Sequence, residues 1–519
     1  MGDVAENSGS RGGRVLISAA LVVLAGALIG LAVEYHILGW SSIPGNSCGG
    51  RYSPCPEGTG PTLTLAFVCT FAGIFGAIGA IIWFTGHRPG KVLPPALLAA
   101  GALLVLWPGW QAFLWMRGPV LDLAWTAVPD RPATVRGLGA WTVGEDARTV
   151  VRARGDALIA YDSRDGDRRW VLRAPVRESV CGMSDTVVDG IGLVAFGRHD
   201  KPCDTVWGVD VRDGRKVWER DVKGVTLYQA AADGLLAADK GVAVAVADEA
   251  VHGYGLADGA PRWTTKLTEP KNVEPTDDEV ECEPEAVSAA GGTTRVVVNC
   301  ETFLDFRSAW LVTLDNTTGE ERERTRLPVE SPIDTATVIS AEPFSLLLDE
   351  EDERGVSAVL SYSGSGGDPV QIPLTADEED LQIGQASYGE GFLARPALTA
   401  VVRGEALVVA ATRPGSDAVE RVVAYSLRDG QRMWHADLGT SVVALAPAGD
   451  GELAVFGANQ RLWTFDAADG ERRGESDGAT VREVAGHISG IGQLIRADGT
   501  WVFVNSDGDN YPPVLAFRP

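Results

Sequence analysis

The chain has 519 residues, 45% of them hydrophobic, and a formal net charge of -25 at pH 7. This length predicts several domains or a repeat array rather than one hydrophobic core. The acidity argues against nucleic-acid binding, which needs a basic surface for phosphate groups, and the apolar content argues against intrinsic disorder.

Three long apolar segments come first in the chain. The first follows Arg14, the second extends from Pro61 to Gly86, and the third extends from Val92 to Met116. Each is long enough to cross a hydrocarbon layer of roughly 30 Å as a helix. The first segment is longer than the apolar part of a signal peptide and lacks a small-x-small cleavage site, so we expect a retained anchor.

The charges around these segments predict their orientation. Arg11 and Arg14 precede the first segment, and His87, Arg88 and Lys91 occupy the link between the second and third. Because basic loops are enriched on the cytoplasmic side, we place the N-terminus and this link in the cytoplasm. Because the number of spans is odd, the chain after the third span then lies outside the cytoplasm. The prediction is therefore a multi-pass protein of the cell membrane. The predicted parts are a cytoplasmic tail at 1–14, a membrane domain at 15–117 with helices at about 15–36, 62–85 and 92–116, and an extracytoplasmic domain at 118–519.

Small residues form stripes along the first two predicted helices. They are Gly26 and Gly30 in the first helix, and Ala72, Gly76 and Ala80 in the second. Such stripes permit close contact between membrane helices. We expect them to serve packing among the three helices, with dimerisation as the alternative.

The cysteines suggest an oxidising compartment. Cys69 falls inside the second span, and the other six lie in pairs along the chain. An even number of cysteines outside the membrane favours disulfides, with scattered free thiols as the alternative. The predicted pairs are Cys48–Cys55, Cys181–Cys203 and Cys282–Cys300. We find no spacing typical of a zinc or haem site.

A strand–turn–strand unit recurs through the rest of the chain, most clearly as "VWGVDVRDGRKVWERDV" at 206–222. Aspartate can hydrogen-bond turn amides, glycine adopts a positive φ, and the following tryptophan can bury its ring against the neighbouring unit. The predicted turn residues are Asp162, Gly166, Asp210, Gly214, Gly259, Asp315, Gly319, Gly430, Asp466 and Gly470. The tryptophans four residues after a turn glycine are Trp170, Trp218, Trp263 and Trp434. A degenerate copy has its turn glycine at Gly367, and Glu323, Gln371 and Gly474 stand where tryptophan is expected.

Four short strands per unit of roughly 40 to 60 residues predict a propeller blade. The final "PPVLAFRP" resembles a strand before a turn, and "LAWTAVP" at 123–129 resembles the tryptophan strand "PRWTTKL" at 261–267. We therefore predict an all-β propeller of eight four-stranded blades, preceded by three transmembrane helices. Trp125 would supply the outer strand of the blade that the C-terminus begins. Seven blades is the alternative.

The Y/V-D-x-x-x-G-x-x-x-W unit resembles the repeat of the pyrroloquinoline-quinone-like (PQQ-like) β-propellers, over about residues 120–519. That superfamily includes the quinoprotein alcohol dehydrogenases and a lipoprotein that helps assemble outer-membrane proteins. The resemblance implies that the repeat tryptophans dock adjacent blades. In the enzymes the quinone stacks on a disulfide between adjacent cysteines, beside calcium held by Glu, Asn and Asp. The chain has no adjacent cysteines, so we assign no catalytic, metal or cofactor residue.

Other features point to binding rather than chemistry. The six histidines do not cluster, and no nucleophile elbow, Walker loop or dinucleotide fingerprint occurs. The acidic runs at 274–285 and 349–354 are expected to be solvated loop insertions with a weak attraction for cations or a basic partner. We predict a non-catalytic, membrane-anchored platform that binds an envelope protein or component. The alternatives are an extracytoplasmic sensor of a small ligand and a quinoprotein dehydrogenase.

Overall fold

The structure is a computed structural model of the chain. It describes residues 9–41, 43, 55, 58–85, 93–117, 120–130, 140–142, 148–198, 203–225, 235–247, 250–270, 273, 276, 278–303, 305–352, 354–362, 368–384, 398–473, 479–481, 488, 490–505 and 511–518. The chain divides into two compact units, residues 1–121 with 479–486 and residues 122–478 with 487–519.

The first unit contains three long helices, α1 (Gly9–Ser41), α2 (Thr59–Thr85) and α3 (Leu93–Arg117). All three are long and apolar enough to cross a membrane. α1 extends beyond the predicted 15–36 at both ends, because the sequence offers no proline before Pro44 to stop it. α3 begins just before its two prolines, where a helix tolerates them.

Small residues bring the three helices close together. A Cβ atom at Gly26 of α1 would collide with the backbone of Leu98 in α3, and one at Gly101 would collide with the backbone of Val23. Gly76 of α2 faces Ala25 of α1 at ordinary contact distance. Of the predicted stripe residues, Gly26, Gly30 and Gly76 therefore lie at contacts within this helical unit, as close membrane-helix packing requires. Ala72 is exposed, and the side chain of Ala80 lies outside the described residues.

Residues 120–518 form an eight-bladed β-propeller of four-stranded blades. Blade 1 consists of β2 (Ala140–Thr142), β3 (Thr149–Arg154), β4 (Ala157–Asp162) and β5 (Arg168–Arg173). Blade 2 consists of β6 (Ser179–Met183), β7 (Ile191–Gly197), β8 (Cys203–Asp210) and β9 (Arg215–Val225). Blade 3 consists of β10 (Leu236–Asp239), β11 (Val242–Ala247), β12 (Ala250–Gly255) and β13 (Pro261–Lys266). Blade 4 consists of β14 (Glu281–Ala290), β15 (Thr293–Glu301), β16 (Phe306–Asp315) and β17 (Glu321–Arg326).

The other four blades follow the same plan, except that blade 6 has five strands. Blade 5 consists of β18 (Ile333–Ala341), β19 (Phe344–Glu350), β20 (Ser357–Tyr362) and β21 (Val370–Pro373). Blade 6 consists of β22 (Asp380–Leu381) and β23 (Ala400–Arg403), which both pair with β24 (Ala406–Thr412), then β25 (Arg421–Ser426) and β26 (Arg432–Asp437). Blade 7 consists of β27 (Val442–Gly449), β28 (Glu452–Gly457), β29 (Arg461–Asp466) and β30 (Ala479–Val481). Blade 8 consists of β31 (Gly492–Ala497), β32 (Thr500–Asn505), β33 (Val514–Arg518) and β1 (Val120–Thr126).

The inner strands carry the hydrophobic core. Every residue of β11, β24 and β32 is buried, because each blade packs against a neighbour on both sides. The outer strand β5 instead alternates between exposed and half-buried residues. This pattern explains why a strand such as β11 (VAVAVA) is apolar throughout, whereas an outer strand such as β5 (RRWVLR) is largely polar.

The ring is closed by a blade built from both ends of the domain. β1 is antiparallel to β33, with Leu123 opposite Phe517 and Trp125 opposite Ala516. This pairing supplies the fourth strand of blade 8 and confirms the predicted eight-bladed closure with Trp125 in the outer strand. Closure of this kind removes open sheet edges, which otherwise invite aggregation.

The propeller has two different ends. We call the end that carries the turns between the third and fourth strands of each blade, such as Asp162–Gly166, the turn face. We call the opposite end the loop face. It carries the connections between blades, such as residues 174–178 and 327–332, and the hairpins between second and third strands, such as 302–305.

Two disulfides join Cys181 to Cys203 and Cys282 to Cys300, the pairings expected from the sequence. Cys282 and Cys300 lie directly opposite each other on β14 and β15. Cys203 begins β8, so the first disulfide joins the first strand of its blade to the third, whereas the second joins the first strand of its blade to the second. Cys55 is disulfide-bonded, and Cys69 is a free, buried cysteine. Cys48 lies outside the described residues, so the Cys48–Cys55 pairing stays a prediction.

Replacement of both Cys282 and Cys300 by alanine should lower the free energy of unfolding by about 3 kcal/mol, because the cross-link restricts an 18-residue loop in the unfolded chain. Urea unfolding of the full chain in detergent measures the loss. Cys69→Ala is the control and should have a much smaller effect. Equal stability of the double variant and the unmutated protein would contradict the expectation.

Candidate functional site

The repeated turns share one hydrogen-bond pattern. The amide of the turn glycine donates to the carbonyl four residues earlier, at 2.9 Å for Gly166–Asp162 and 2.8 Å for Gly214–Asp210. The aspartate side chain accepts from the amide two residues later, at 3.0 Å for Arg164–Asp162. The same side-chain bond occurs at Asp210, Asp315 and Asp466. Backbone N–H groups of Thr318 and Thr317, followed by Arg322, lower the pKa of Asp315 to about 2.

Each repeat tryptophan packs on the turn of the next blade. The rings of Trp125, Trp170, Trp218, Trp263 and Trp434 cover Gly166, Gly214, Gly259, Gly319 and Gly470, where an added Cβ would lie 2.5–2.7 Å from a ring atom. Each indole N–H also donates to a backbone carbonyl of that turn, the one of the residue directly after the first turn residue. The distances range from 2.7 to 3.2 Å. Trp125 makes this contact between blades 8 and 1, so the closing strand uses the same interaction as the others.

The turn glycines are packed differently where the repeat lacks its tryptophan. Gly430, the turn glycine of blade 6, faces the carbonyl oxygen of Gln371 at 3.1 Å from an added Cβ and the side chain of Val370 at 3.2 Å. Backbone and aliphatic groups thus occupy the place that an indole ring takes elsewhere. Gly367 and Gly474 lie outside the described residues.

Gly214→Ala should destabilise the propeller by about 3 kcal/mol, because Gly214 has a φ of 73° and an added Cβ would lie 2.5 Å from the ring of Trp170. Gly451→Ala is the matched control, since Gly451 has a φ of 72° and no atom within 4 Å of an added Cβ. It should cost only the conformational strain, about 1 kcal/mol. Equal melting temperatures of the two variants would contradict a role for Gly214 in ring packing.

The loop face presents the most exposed large apolar side chains in the described part of the propeller. Val128 is 84% exposed, Val176 is 90% exposed and Phe303 is 100% exposed. Val128 follows β1, Val176 lies between blades 1 and 2, and Phe303 lies in the β15–β16 hairpin. Exposed apolar groups set among polar residues are typical of interaction surfaces.

Buried carboxylates hold the connections of the loop face in place. Asp130, between β1 and β2, pairs with the buried Arg152 at 2.7 Å. Glu350 accepts hydrogen bonds from the amide and hydroxyl of Ser331, at 3.2 and 2.8 Å. Ion pairs and charge-assisted hydrogen bonds of this kind fix a surface before a partner arrives.

The third anchor is Glu379, between blades 5 and 6. It accepts from Tyr425 Oη at 2.7 Å and pairs with Arg421 at 3.0 Å and Arg432 at 3.1 Å. Burial raises the pKa of Glu379, but the hydrogen bonds from Tyr425 and Arg432 outweigh burial and lower it overall. The carboxylate therefore stays charged at neutral pH and locks the start of blade 6 to its outer strands.

The acidic runs are not simply solvated insertions, as the sequence suggested. Glu350, within the run at 349–354, is the last residue of β19 and is buried. Residues 281–285 of the other run form the start of β14. Hydrogen bonds from Ser331 compensate for burying Glu350, whereas Glu281 and Glu283 of β14 remain exposed.

The β14 glutamates lie close together on blade 4. Burial, followed by the negative charges of Glu283 and Glu301, raises the pKa of Glu285 to about 7. Glu285 lies at an irregularity of the β14–β15 pairing between Pro284 and Ala286. Glu285 therefore holds its proton more tightly than an ordinary glutamate.

Glu285→Gln should change how stability depends on pH. The folded state holds the Glu285 proton up to about pH 7, whereas the ordinary pKa of a glutamate is 4.5. This contribution to stability is complete below pH 4.5 and is lost as the pH rises to about 7. The variant should match the unmutated protein at pH 4.5 and be more stable at pH 8, by up to about 3 kcal/mol. Urea titrations at both pH values test this. Glu320→Gln, at an exposed position, is the control and should leave the free energy of unfolding unchanged at both pH values.

The disulfides and the acidic, histidine and cysteine side chains of this chain do not match the cofactor site of the quinoprotein enzymes. The disulfides link cysteines 22 and 18 residues apart rather than neighbours. Across the described ranges, no group of three His, Cys, Asp or Glu side chains could hold a metal ion. We therefore derive no chemical step through a quinone or calcium.

The blades, their turns and their tryptophans define a PQQ-like β-propeller. A family model described as "Outer membrane protein assembly factor BamB" matches residues 114–298 and 377–511, which is more than half of the chain. The protein belongs to this family. A search of curated proteins found no match.

Solved structures resemble the chain at low identity. The designed Ika8 protein is 13% identical, with a TM-score of 0.45, over 78% of this chain and 100% of its own. BamB from Moraxella catarrhalis is 14% identical, with a TM-score of 0.30, over 74% and 84%. Quinohemoprotein alcohol dehydrogenase from Comamonas testosteroni is 11% identical, with a TM-score of 0.44, over 76% and 76%. Resemblances of this size carry no functional argument.

Proposed function

We propose that this protein is a membrane-anchored, non-catalytic platform whose propeller binds a protein or another envelope component through its loop face. The observation that carries the proposal is that the three most exposed large apolar side chains of the described propeller, Val128, Val176 and Phe303, all lie on that face. The anchored connections support it, since a surface that is already ordered loses less entropy on binding. Membership of a family described by an assembly factor supports it as well.

We further propose that the N-terminus is cytoplasmic and the propeller extracytoplasmic. The basic residues before α1 and between α2 and α3 support this orientation. The disulfides of blades 2 and 4 support an oxidising compartment. A reporter that is active only in the cytoplasm, fused after Pro519, should be silent. Activity of that reporter would contradict the orientation.

Crosslinking in intact cells tests the binding role. After mild crosslinking and purification of the full chain, the same extracytoplasmic proteins should be recovered in replicate preparations. Val176→Ser with Phe303→Ser should reduce their recovery without changing the amount of protein in the membrane, because both side chains are exposed. Recovery unchanged by this pair of substitutions would contradict binding through the loop face.

Two other outcomes would point to a different function. Shifts of the melting temperature with one small molecule, and no protein partner, would indicate a ligand sensor. Dye-linked alcohol oxidation after addition of quinone and calcium to the purified protein would indicate a dehydrogenase. We expect neither.

A further inference from the structure

Glu34 is an acidic residue inside an apolar helix. It lies within Ala19–Ser41, the part of α1 that is long and apolar enough to cross a membrane. The position is seven residues before Ser41, or about 10 Å along the helix axis from the end of the span. A carboxylate at such a depth is costly in hydrocarbon, and ionisable residues inside membrane spans usually serve a function.

The carboxylate of Glu34 lies at the contact of α1 with α3. A Cβ atom added at Gly109 of α3 would lie 2.4 Å from Glu34 Oε2, so the missing side chain of Gly109 makes room for the carboxylate. Oε2 is buried, and among the residues that the structure describes it has no hydrogen-bond partner. A buried acceptor without a donor is costly, because no water replaces the donor.

Glu34 borders a strip of α1 that no other described helix covers. Val33 is 55% exposed and Ile37 is 63% exposed, whereas Glu34 is half-buried. Residues three or four apart lie on the same side of a helix, so Ile37 is a surface neighbour of both Val33 and Glu34. A further membrane helix packed on this strip would pass close to the carboxylate.

The neighbouring ionisable side chains of α1 are engaged elsewhere. Tyr35 donates its hydroxyl hydrogen to the carbonyl of Gly109 at 3.3 Å. His36 forms a hydrogen bond with Thr70 of α2 at 3.2 Å, on a different contact of α1. Neither residue supplies the donor that Glu34 Oε2 lacks.

The candidate spans contain no base that could neutralise Glu34. The single Lys or Arg within the three spans is Arg117, the last residue of α3, which is eight residues or about 12 Å beyond Gly109. A second copy of this chain would therefore bring another carboxylate to this strip rather than a base. The required positive charge has to come from a different molecule.

The depth of Glu34 favours a basic side chain over a metal ion or a lipid headgroup. In the described parts of the chain, no group of three His, Cys, Asp or Glu side chains could hold a metal ion. The amines of lipid headgroups stay at the membrane surface, whereas a Lys or Arg on a membrane helix can be placed at the depth of a carboxylate. Ammonium and guanidinium groups supply both the positive charge and the N–H donor.

We propose that Glu34 pairs with a Lys or Arg in a transmembrane helix of another membrane protein, and that this helix packs on Val33 and Ile37. The basic group neutralises the carboxylate inside the bilayer and supplies the hydrogen-bond donor that this chain does not. The proposal concerns the helical unit and goes beyond the binding role of the loop face.

The test uses the full chain in phosphatidylcholine vesicles at neutral pH, with a membrane-spanning Leu/Ala peptide that carries one Lys at a depth matching Glu34. A second peptide has Gln in place of the Lys. Energy transfer between the labelled chain and the labelled peptide measures association. The Lys peptide should associate at least about fivefold more strongly than the Gln peptide, and Glu34→Gln should remove this difference.

Two further variants separate pairing from general damage to the helices. His36→Gln is the matched control and should change association of the Lys peptide less than about twofold, because His36 contacts α2. Ile37→Ala leaves Glu34 intact and should weaken association of both peptides, because it removes an exposed packing side chain.

Equal association of the Lys and Gln peptides with the unmutated chain would overturn the pairing. So would a preference for the Lys peptide that persists in Glu34→Gln, or an equal loss in Glu34→Gln and His36→Gln. None of these results bears on the loop face, since the peptide makes no contact outside the membrane. Crosslinking of extracytoplasmic proteins to Val176 and Phe303 tests the platform function separately.

Discussion

Deletion of Val514–Pro519 should abolish cooperative unfolding of the propeller, because β33 holds blade 8 together. Val514, Leu515, Ala516 and Phe517 are fully buried. β33 pairs with β32 on one side and with β1 on the other, so its loss separates the two ends of the domain. Several buried apolar residues at about 1.5–3 kcal/mol each exceed the marginal stability of an ordinary domain.

A single substitution gives a graded form of the same experiment. Phe517 stacks on Phe456 of blade 7 with ring centroids 5.3 Å apart. Phe517→Ala should cost about 3–5 kcal/mol. Phe303→Ala makes the same chemical change at a fully exposed site and should cost almost nothing. Intact melting behaviour after the deletion, or equal effects of the two alanine variants, would contradict closure through β1 and β33.

Trp218→Ala should have the second-largest effect, because it removes a buried ring and a hydrogen bond from the contact between blades 2 and 3. Trp218 is buried, packs on Gly259 and donates to the carbonyl of Leu256 at 2.7 Å. Its ring also lies near that of Tyr254, with centroids 6.4 Å apart. Loss of a buried tryptophan costs about 3–5 kcal/mol.

Trp218→Phe is the variant for comparison, because it keeps an aromatic ring and removes the N–H donor. It should cost less than Trp218→Ala and leave the Leu256 carbonyl without its partner, a loss of about 1–3 kcal/mol. Urea unfolding of both variants in detergent provides the comparison. If Trp218→Ala proved harmless, the tryptophan would not be the element that joins adjacent blades.

The architecture could be predicted because its information is local and repeated. Asp162, Gly166 and Trp170 recur at fixed spacing, and each has a short-range reason for its identity: an amide acceptor, a positive φ and a ring that fits over the next glycine. The closing strand around Trp125 was predictable for the same reason, since its sequence resembles the other outer strands. Because the pattern repeats, the blade that lacks its outer strand at the C-terminus and the strand around Trp125 that completes it can both be recognised.

The anchors of the loop face could not be predicted, because their partners are distant in the chain. Asp130 meets Arg152 across blades 8 and 1, and Glu379 meets Arg421 and Arg432 across blade 6. In the sequence these are ordinary acidic residues in loops. Glu350 was misassigned as solvated because nothing nearby in the sequence indicates the Ser331 donors that stabilise it when buried.

Site-specific photocrosslinking in living cells tests the central claim most directly. A photoreactive residue is placed at Phe303 or Val176 on the loop face, and at Glu320 or Glu471 near the turn face, one position at a time. Both loop-face positions should form adducts with the same extracytoplasmic protein, and the other two positions should form none. Adducts with cytoplasmic proteins, or no adduct from the loop face of a correctly folded protein, would contradict a platform that binds envelope components outside the cytoplasm.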